Sequence, residues 1–335
     1  MLRTAIRAAV LLIGACSVAM PGHATECQPE SGTSPCVDAN SLWLASGSAR
    51  FVSLPAAVAL PRGRVGLTLA VQALFSPLRA SVPSPDPNGR EVKLVERVLE
   101  EELLLAFGLG RDLELGLALP VILHQTGAGS AGLTSQSAGP LDASAERDPH
   151  ASLAYARELT TSLGIKPRLE LTLPFGNRAA YASAGSVVLA PALPLEWQPG
   201  AFTLGFELAA RLRPSVELGT LRWGSQGSVT LGLSLELLPH ELLALSGELF
   251  LLPSLGEASS QRARAQAIET RLLPAEWLCS IRSRPAREEP WTVTLAAGAG
   301  LALSRSSSAT GEDRFLAPTS PGLRLLAALR YAPSE

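Results

Sequence analysis

Residues 229–237 carry the sequence VTLGLSLEL, in which a Val or Leu alternates with Thr, Gly, Ser or Glu over nine positions. Successive side chains of a β-strand point to opposite faces, so this alternation predicts a strand with one apolar and one polar face. The fold of the protein depends on what covers the apolar face.

The same alternation recurs along most of the chain. Clear cases are segments 65–75, 113–123, 169–173, 187–197, 202–212, 243–251, 291–303 and 323–331. Segments 92–108, 151–159 and 268–281 alternate less regularly, and helical spacing also fits 92–108, so a helix remains an alternative there. Together these segments predict about twelve strands of about ten residues, which is near the length that a tilted strand needs to cross a bilayer.

The connections between the predicted strands alternate in length. Long, polar connections such as 76–91 and 125–148 are followed by short ones such as 198–200 and 239–241. A β-sandwich has no reason to alternate in this way, whereas outer-membrane barrels combine tight periplasmic turns with long external loops. Closure is also required, because an open sheet edge in hydrocarbon would leave backbone groups without hydrogen bonds. We therefore predict an all-β fold, a closed antiparallel transmembrane β-barrel with its apolar face toward lipid.

The composition agrees with this prediction. The 335 residues are 47% hydrophobic and only 17% charged, below the roughly 25% charged residues of an average soluble domain. The formal net charge of −2 provides no basic surface for nucleic acid. Beyond the N-terminus no run of apolar residues is long enough for a helical span. Since neither a Cys-x-x-Cys pair nor a histidine cluster occurs, we predict no metal site and no cofactor.

The N-terminus has the features of an export signal. Residues 1–7 are positively charged, residues 8–20 are apolar, and Gly22 and Ala24 occupy the −3 and −1 positions of a small-residue cleavage site. We predict a signal peptide at residues 1–24. In the alternative interpretation, residues 13–16 form a lipoprotein box and Cys16 is lipidated.

The remaining chain is divided into two parts. Residues 25–62 have no clean period and are predicted to form an irregular periplasmic segment, followed by the barrel at 63–335. Cys27 and Cys36 lie close together in this segment and are predicted to form a disulfide after export. Two free thiols are the alternative. Trp197 and Tyr331 are among the aromatic residues at predicted periplasmic strand ends, where an interfacial girdle is expected.

Charged residues on the polar faces are the candidates for lining the lumen. They are Arg168, Glu170, Glu207, Arg211, Glu236, Glu248, Arg324 and Arg330. Small residues such as Gly232 and Gly298 on the same faces are expected to leave space for a narrow path. In the alternative, the charges pair across the lumen and only stabilise the barrel.

Three stretches carry a resemblance to a known group. GLGRDLELGLALPVILHQTG (108–127), LELTLPFGNRAAY (169–181) and GLRLLAALRYAP (322–333) resemble stretches of Gram-negative outer-membrane barrels. Those barrels are classed as transporters of the MetA-pathway phenol-degradation type, or they precede an OmpA-like peptidoglycan-binding domain. The resemblance implies a location in the outer membrane. It also implies that the last strand, ending in Tyr331, is the signal read by the barrel-assembly machinery.

The expected function is a narrow channel or transporter for small solutes, without enzymatic activity. Its expected partners are outer-membrane lipids, the barrel-assembly machinery during insertion, and an unknown small solute. One alternative is a structural or adhesive barrel that contacts a partner through loops such as 125–148. A less favoured alternative is a lipid hydrolase that uses the rim histidines His124 and His150, although neither lies in a recognisable catalytic signature.

Overall fold

The computed structural model describes most of the chain. The described residues are 27, 34–82, 90–129, 141–218, 221–238, 242–256, 269–271, 273–283, 290–301, 303, 305–307, 314–315 and 319–333. The predicted signal peptide and Cys16 lie outside them. None of the helical structure found in these residues is both long and apolar enough to span a membrane.

Twelve antiparallel strands form one closed barrel. The last strand pairs with the first, through partners such as Leu67 and Tyr331, so the main sheet has no free edge. In chain order the strands are Val65–Val82, Arg90–Gly110, Leu113–Thr126, His150–Tyr155, Arg168–Thr172, Val188–Trp197, Phe202–Arg211, Gln226–Leu238, Leu243–Leu251, Ala275–Ser283, Trp291–Leu301 and Leu323–Tyr331. The predicted fold class is confirmed, and segment 92–108 belongs to a strand and not to a helix.

Shorter strands extend the barrel or pair within its loops. Arg157–Glu158 pairs with Leu163–Ile165 at a short-turn end, and Ala145–Glu146 adds to the third strand. Three further pairs lie toward the long-loop end: Val216–Leu218 with Leu221–Trp223, Glu269–Arg271 with Arg305–Ser307, and Arg314–Phe315 with the first strand. The 3-10 turn Arg178–Ala180 lies in the loop between the fifth and sixth strands.

The first two strands are much longer than the sequence pattern indicated. They have 18 and 21 residues and stay paired from Val65 opposite Phe107 to Val82 opposite Arg90. Their far ends pass the roughly ten residues needed to cross the bilayer. There Leu78 and Leu94 join a buried apolar cluster with Tyr181 from another long loop. We call this cluster the outer cap, because it lies at the long-loop end of the barrel.

The apolar face of each strand points outward. On the eighth strand Leu231 and Leu233 are 44% and 51% exposed, whereas Thr230 and Ser234 on either side of them are 1% and 2% exposed. The same contrast is repeated around the barrel and produces a continuous apolar belt, a surface that a monomeric soluble protein rarely exposes. Hydrocarbon therefore covers the leucine face, and the polar face lines the lumen.

The irregular N-terminal segment lies inside this lumen. Among residues 34–62 only Asp38 forms a β-bridge, so the predicted irregular backbone is confirmed. The expected periplasmic placement is corrected, because Leu42, Val52 and Leu54 are almost fully buried and contacts run from this segment to many inward-facing side chains. We call residues 34–62 the plug. A Pro- and Ser-rich segment resembles a linker in sequence, but the lumen of the barrel supplies it with hydrogen-bond partners.

Candidate functional site

Glycines of the barrel wall make room for the plug. A Cβ atom at Gly232 would lie 2.7 Å from the Phe51 ring and 2.9 Å from Leu54, and one at the neighbouring Gly205 would lie 2.8 Å from both side chains. Such distances are too short for a methyl group, so any side chain at either position would force the plug to move. The space that small residues such as Gly232 were expected to leave for a solute path is occupied by the plug.

One buried charge cluster ties the plug to the outer half of the wall. Arg147 donates to the carboxylate of Asp38 at 2.7 and 2.8 Å and to that of Glu100 at 3.1 and 3.2 Å. The Asn40 side-chain amide of the plug also donates to Glu100. The side chains of Arg147 and Glu100 are only 3% and 1% exposed, so the cluster is shielded from water.

Arg324 forms a second anchor at the same level and is fully buried. Its guanidinium donates to Glu276 on the tenth strand, to Gln72 on the first strand, and to Asn40 Oδ1 of the plug at 2.9 Å. Because charge-assisted hydrogen bonds are the stronger ones, Arg324 and Arg147 together fix the plug around Asn40.

Carboxylates of the wall bind backbone groups of the plug nearer the short turns. Glu248 accepts hydrogen bonds from the Ser53 backbone N–H at 2.9 Å and from the Ser53 hydroxyl at 2.6 Å. Glu114 accepts from the Leu60 N–H at 3.0 Å and from Lys166 at 2.8 Å. These carboxylates satisfy N–H groups that an irregular backbone would otherwise leave unpaired.

The predicted lumen residues face inward and most have protein partners. Arg168 lies 3.0 Å from Glu207 and 3.9 Å from Glu170. Arg211 donates to the carbonyl oxygen of Ser41 at 2.8 Å, and its guanidinium lies 3.8 Å from the centre of the Trp43 ring. These contacts fit the alternative in which the charges stabilise the lumen.

The remaining predicted lumen residues lie at several depths. Glu248 and Arg324 hold the plug as described, and Arg330 donates to the carbonyl oxygens of Ala45 and Ala49 at 3.1 and 2.7 Å. Glu236 is only half-buried near a short turn. That these eight residues line the path of a solute stays a prediction. The predicted bond between Cys27 and Cys36 is present as a disulfide.

Several anchoring residues were not identified from the sequence. Glu100 lies at one of the inward-facing alternate positions of the second strand. The alternation therefore identifies it as a lumen residue if segment 92–108 is read as a strand. Glu276 and Arg282 lie in a segment that was recognised only weakly. Arg147 lies between two short strands, and no sequence pattern indicated that it faces the lumen.

The two rim histidines do not form a site together. His150 is buried in the lumen, where its Nδ1 lies 3.2 Å from both Glu170 Oε1 and Thr172 Oγ1 and its ring contacts Trp43 edge-on. His124 lies six positions beyond Ala118, the residue that pairs with His150, or roughly 20 Å along the strand at about 3.3 Å per residue. Among the described residues no group of three or more His, Cys, Asp or Glu side chains is placed to hold a metal ion.

An open cavity of about 910 Å³ lies at the short-turn end of the barrel, and we call it the vestibule. Plug residues 56–62 form one side of it, and wall residues such as Arg282 and Arg330 form its inner part. Farther inside, the lumen next to the plug contains small cavities of about 20 and 40 Å³. The wide part of the lumen therefore ends where the plug begins to fill it.

The closed barrel, its apolar belt and its polar lumen define an integral β-barrel protein of the Gram-negative outer membrane. No protein-family model matches the chain, and no curated protein matches it. Its fold is similar to that of an outer-membrane channel from Pseudomonas putida F1, with a TM-score of 0.56 and 14% sequence identity over 84% of this chain and 99% of that one.

Two other solved structures are less similar. The NanC porin gives a TM-score of 0.44 at 7% identity, covering 80% of this chain and 100% of that one. The toluene transporter TbuX from Ralstonia pickettii gives 0.38 at 11% identity, covering 82% and 90%.

Proposed function

We propose that this protein is a narrow outer-membrane channel or transporter for small solutes, which its own N-terminal segment closes. The observation that carries the proposal is the vestibule, which extends from the short-turn end to the inward-facing Arg282 and Arg330 and stops at the plug. In an eight-stranded barrel the side chains of the wall fill the interior. Here twelve strands enclose a lumen wide enough for a separate stretch of backbone.

The plug is held by both polar and apolar contacts. Hydrogen bonds and ion pairs join it to Arg147, Glu248 and Arg324, and water or a polar solute can replace such contacts. Leu42 and Val52 also pack in a buried apolar cluster with wall residues, so displacement of the plug must break this packing as well.

The sequence resemblance to MetA-pathway phenol-degradation transporters and OmpA-associated barrels adds support for transport. It rests on three stretches that include residues 108–127 and 322–333. A phenolic solute is not part of the proposal, because the vestibule is lined by many charged groups.

Planar-bilayer recordings test the proposal directly. We expect the purified wild type to give small or infrequent current steps, and a variant lacking residues 37–62 to give larger and longer-lived ones. Both cysteines of the disulfide remain in that variant. Heat-modifiable migration on a gel serves as the control for a folded barrel. A folded deletion variant that conducts no more than the wild type would overturn the proposal.

A structural barrel without transport is the second candidate. The observation in its favour is the density of polar contacts that fix the plug, together with the buried outer cap over the other end of the lumen. This candidate predicts no conductance even after plug residues 37–62 are deleted, so the same recordings decide between the two. The adhesive version depends on loop 125–148, of which residues 130–140 lie outside the described residues.

A further inference from the structure

Two small cavities lie one above the other beside the plug. The lower cavity, of about 20 Å³, is lined by Ala192 of the sixth strand and Thr230 of the eighth, and the upper cavity, of about 40 Å³, by Val188 and Gln226. The second pair lies four positions nearer the long loops on the same two strands, or about 13 Å along each strand at about 3.3 Å per residue. The two cavities therefore follow one sector of the barrel wall.

The lining of the two cavities is polar. Arg168, Glu170 and Glu207 line the lower cavity and Arg211 lines both, so four of the eight predicted lumen residues lie in this sector. Nε of Arg168 beside the lower cavity and Nη2 of Arg213 beside the upper one are buried and have no hydrogen-bond partner among the described residues. Buried donors in proteins are bonded to protein or to water, and a cavity of roughly 10–15 Å³ is enough for one water molecule. Both cavities are therefore suited to hold water.

Trp43 of the plug separates the two cavities, because it belongs to the lining of both. The guanidinium of Arg211 lies 3.8 Å from the centre of the Trp43 ring, and the ring of His150 contacts Trp43 edge-on. The carbonyl oxygen of Ser41 holds Arg211 in this position at 2.8 Å. One side chain of the plug and one of the wall therefore form a constriction between the cavities.

Arg50 of the plug lies between the lower cavity and the vestibule. It lines the vestibule and forms an ion pair with Glu196 of the sixth strand. Glu196 is four positions nearer the short turns than Ala192, which lines the lower cavity. The ion pair is therefore a second constriction in the same sector.

The plug packs differently toward the second, tenth and twelfth strands. Leu42, next to Trp43 in sequence, is 1% exposed and lies in a buried apolar cluster with Leu104, Leu278 and Leu326 of those strands. Neighbouring plug residues thus meet an apolar wall on one side and a polar wall with cavities on the other. Water is favoured on the Trp43 side, because only there can polar side chains of the wall bind it.

We propose that a water-filled path follows the fifth to eighth strands beside the plug, and that Trp43 and Arg50 close it to small solutes. Movement of two side chains would join the vestibule to the upper cavity, whose lining includes Trp223 of the outer cap. Displacement of the whole plug would instead break apolar packing and buried ion pairs. The proposal deepens the proposed channel function by giving the route of the solute. It rests on that function for conduction, whereas access of water to the path is tested separately.

Thiol labelling of the mature protein in nanodiscs tests the path without requiring conduction. In a Cys279→Ala background, which removes the exposed free cysteine, Ala190→Cys places a thiol beside the lower cavity and Ala296→Cys places one in the apolar cluster. Ala190 and Ala296 are 3% and 8% exposed, so exposure alone predicts faster reaction at Ala296. We expect methyl methanethiosulfonate to modify the Ala190 variant at least tenfold faster. Equal rates, or a faster rate at Ala296, would overturn the proposal.

Heat-modifiable migration on a gel shows whether each cysteine variant forms a folded barrel. If either variant fails to fold, Ala192→Cys and Ala118→Cys form a second pair with the same contrast, since Ala192 lines the lower cavity and Ala118 belongs to the apolar cluster. We expect the same order of rates in this pair.

Trp43→Ala tests the constriction, with the neighbouring Leu42→Ala as its control. Both substitutions shorten a side chain of the plug, but only the first widens the path. We expect Trp43→Ala to speed modification of Ala190→Cys at least fivefold and to raise single-channel conductance at least threefold. Leu42→Ala should leave both within twofold of the wild type. Equal effects of the two variants on labelling would overturn the closing role of Trp43.

Arg50→Ala tests the second constriction. It should also speed modification of Ala190→Cys at least fivefold, because reagent that enters from the vestibule passes Arg50 first. An unchanged rate would overturn the closing role of Arg50.

Conductance separates this proposal from the channel function. If the plug-deleted variant conducts but Trp43→Ala conducts no more than Leu42→Ala, the route is overturned and the channel is kept. If no variant conducts while the Ala190 thiol still reacts faster than the Ala296 thiol, the channel function is overturned and the water-filled path is kept.

Discussion

Arg147, in the loop before the fourth barrel strand, donates two hydrogen bonds of 2.7 and 2.8 Å to Asp38 of the plug, while its other terminal nitrogen donates to Glu100 on the second strand. One guanidinium therefore joins two elements that are far apart in sequence. Buried ion pairs often add little net stability, but they penalise every arrangement that leaves a charge without a partner. In this barrel such pairs set the position of an irregular segment that has no secondary structure to fix its register.

Arg147→Met should destabilise the barrel by about 3–5 kcal/mol, because the carboxylate of Glu100 would lose its partner while buried. The measurement is the free energy of unfolding by urea in phospholipid vesicles. Arg222→Met serves as the control, since Arg222 is exposed and donates to the Ser215 hydroxyl. It should cost less than about 1 kcal/mol. Similar losses in both variants would show that the Arg147 cluster is not desolvated.

Leu233→Arg should cost about 2–4 kcal/mol, because this side chain lies near the middle of the lipid-facing belt. Leu237 provides a matched control: it is on the same strand and face and has nearly the same exposure, 48% against 51%, but lies next to a short turn. Leu237→Arg should cost about 0–1 kcal/mol near the interface. Folding measurements in vesicles give both values. An equal loss of unfolding free energy in the two variants would contradict the placement of Leu233 near the middle of the bilayer and of Leu237 near its interface.

Glu101 is a charged residue on the lipid-facing side of the second strand. It is opposite Val71 and Val121, both outward-facing, whereas the adjacent Glu100 points into the lumen. Glu101→Leu should therefore stabilise the barrel by about 1 kcal/mol, since a carboxylate on the lipid face is costly.

Glu100→Leu, one position away, should have the opposite effect. It would leave Arg147 and the amide groups of Asn40 and Gln72 without an acceptor that they share. Unfolding in vesicles compares the two variants. Destabilisation by both substitutions would show that Glu101 has a protein partner and does not face lipid.

The barrel could be predicted from the sequence because successive residues of each strand face lipid and lumen in turn. Apolar and polar residues therefore alternate with a period of two. A stretch such as Val229–Leu237 shows this selection within a single strand, and the alternating loop lengths then give the order and direction of the strands. The faces of Leu233 and Ser234 were predicted correctly for this reason. The full length of the first two strands could not be predicted, because the alternation of apolar and polar residues weakens where these strands leave the bilayer.

The plug could not be predicted by the same reasoning. Residues 34–62 have no period, and their partners are distant: Glu248 lies 195 positions from Ser53. Composition shows that Glu248 and Arg324 face a polar lumen, but it does not show whether water or protein occupies that lumen. Only the three-dimensional arrangement reveals that Gly205 and Gly232 meet Phe51.

The disulfide at the start of the plug packs directly on Gly185, which has a φ of +66°. A Cβ atom there would lie 2.3 Å from Cys27 Sγ and 2.5 Å from Cys36 Sγ, so Gly185→Ala adds a steric clash to the backbone strain of a left-handed residue. Gly200 has a φ of +77° and no atom within 4 Å of the same position, so Gly200→Ala introduces the strain alone, about 1–2 kcal/mol. We expect Gly185→Ala to lower the free energy of unfolding by at least about 1 kcal/mol more than Gly200→Ala, as overpacking typically does. Thiol titration should also find more free cysteine in the Gly185 variant. Equal stability and equal thiol content in the two variants would show that the disulfide does not pack on Gly185.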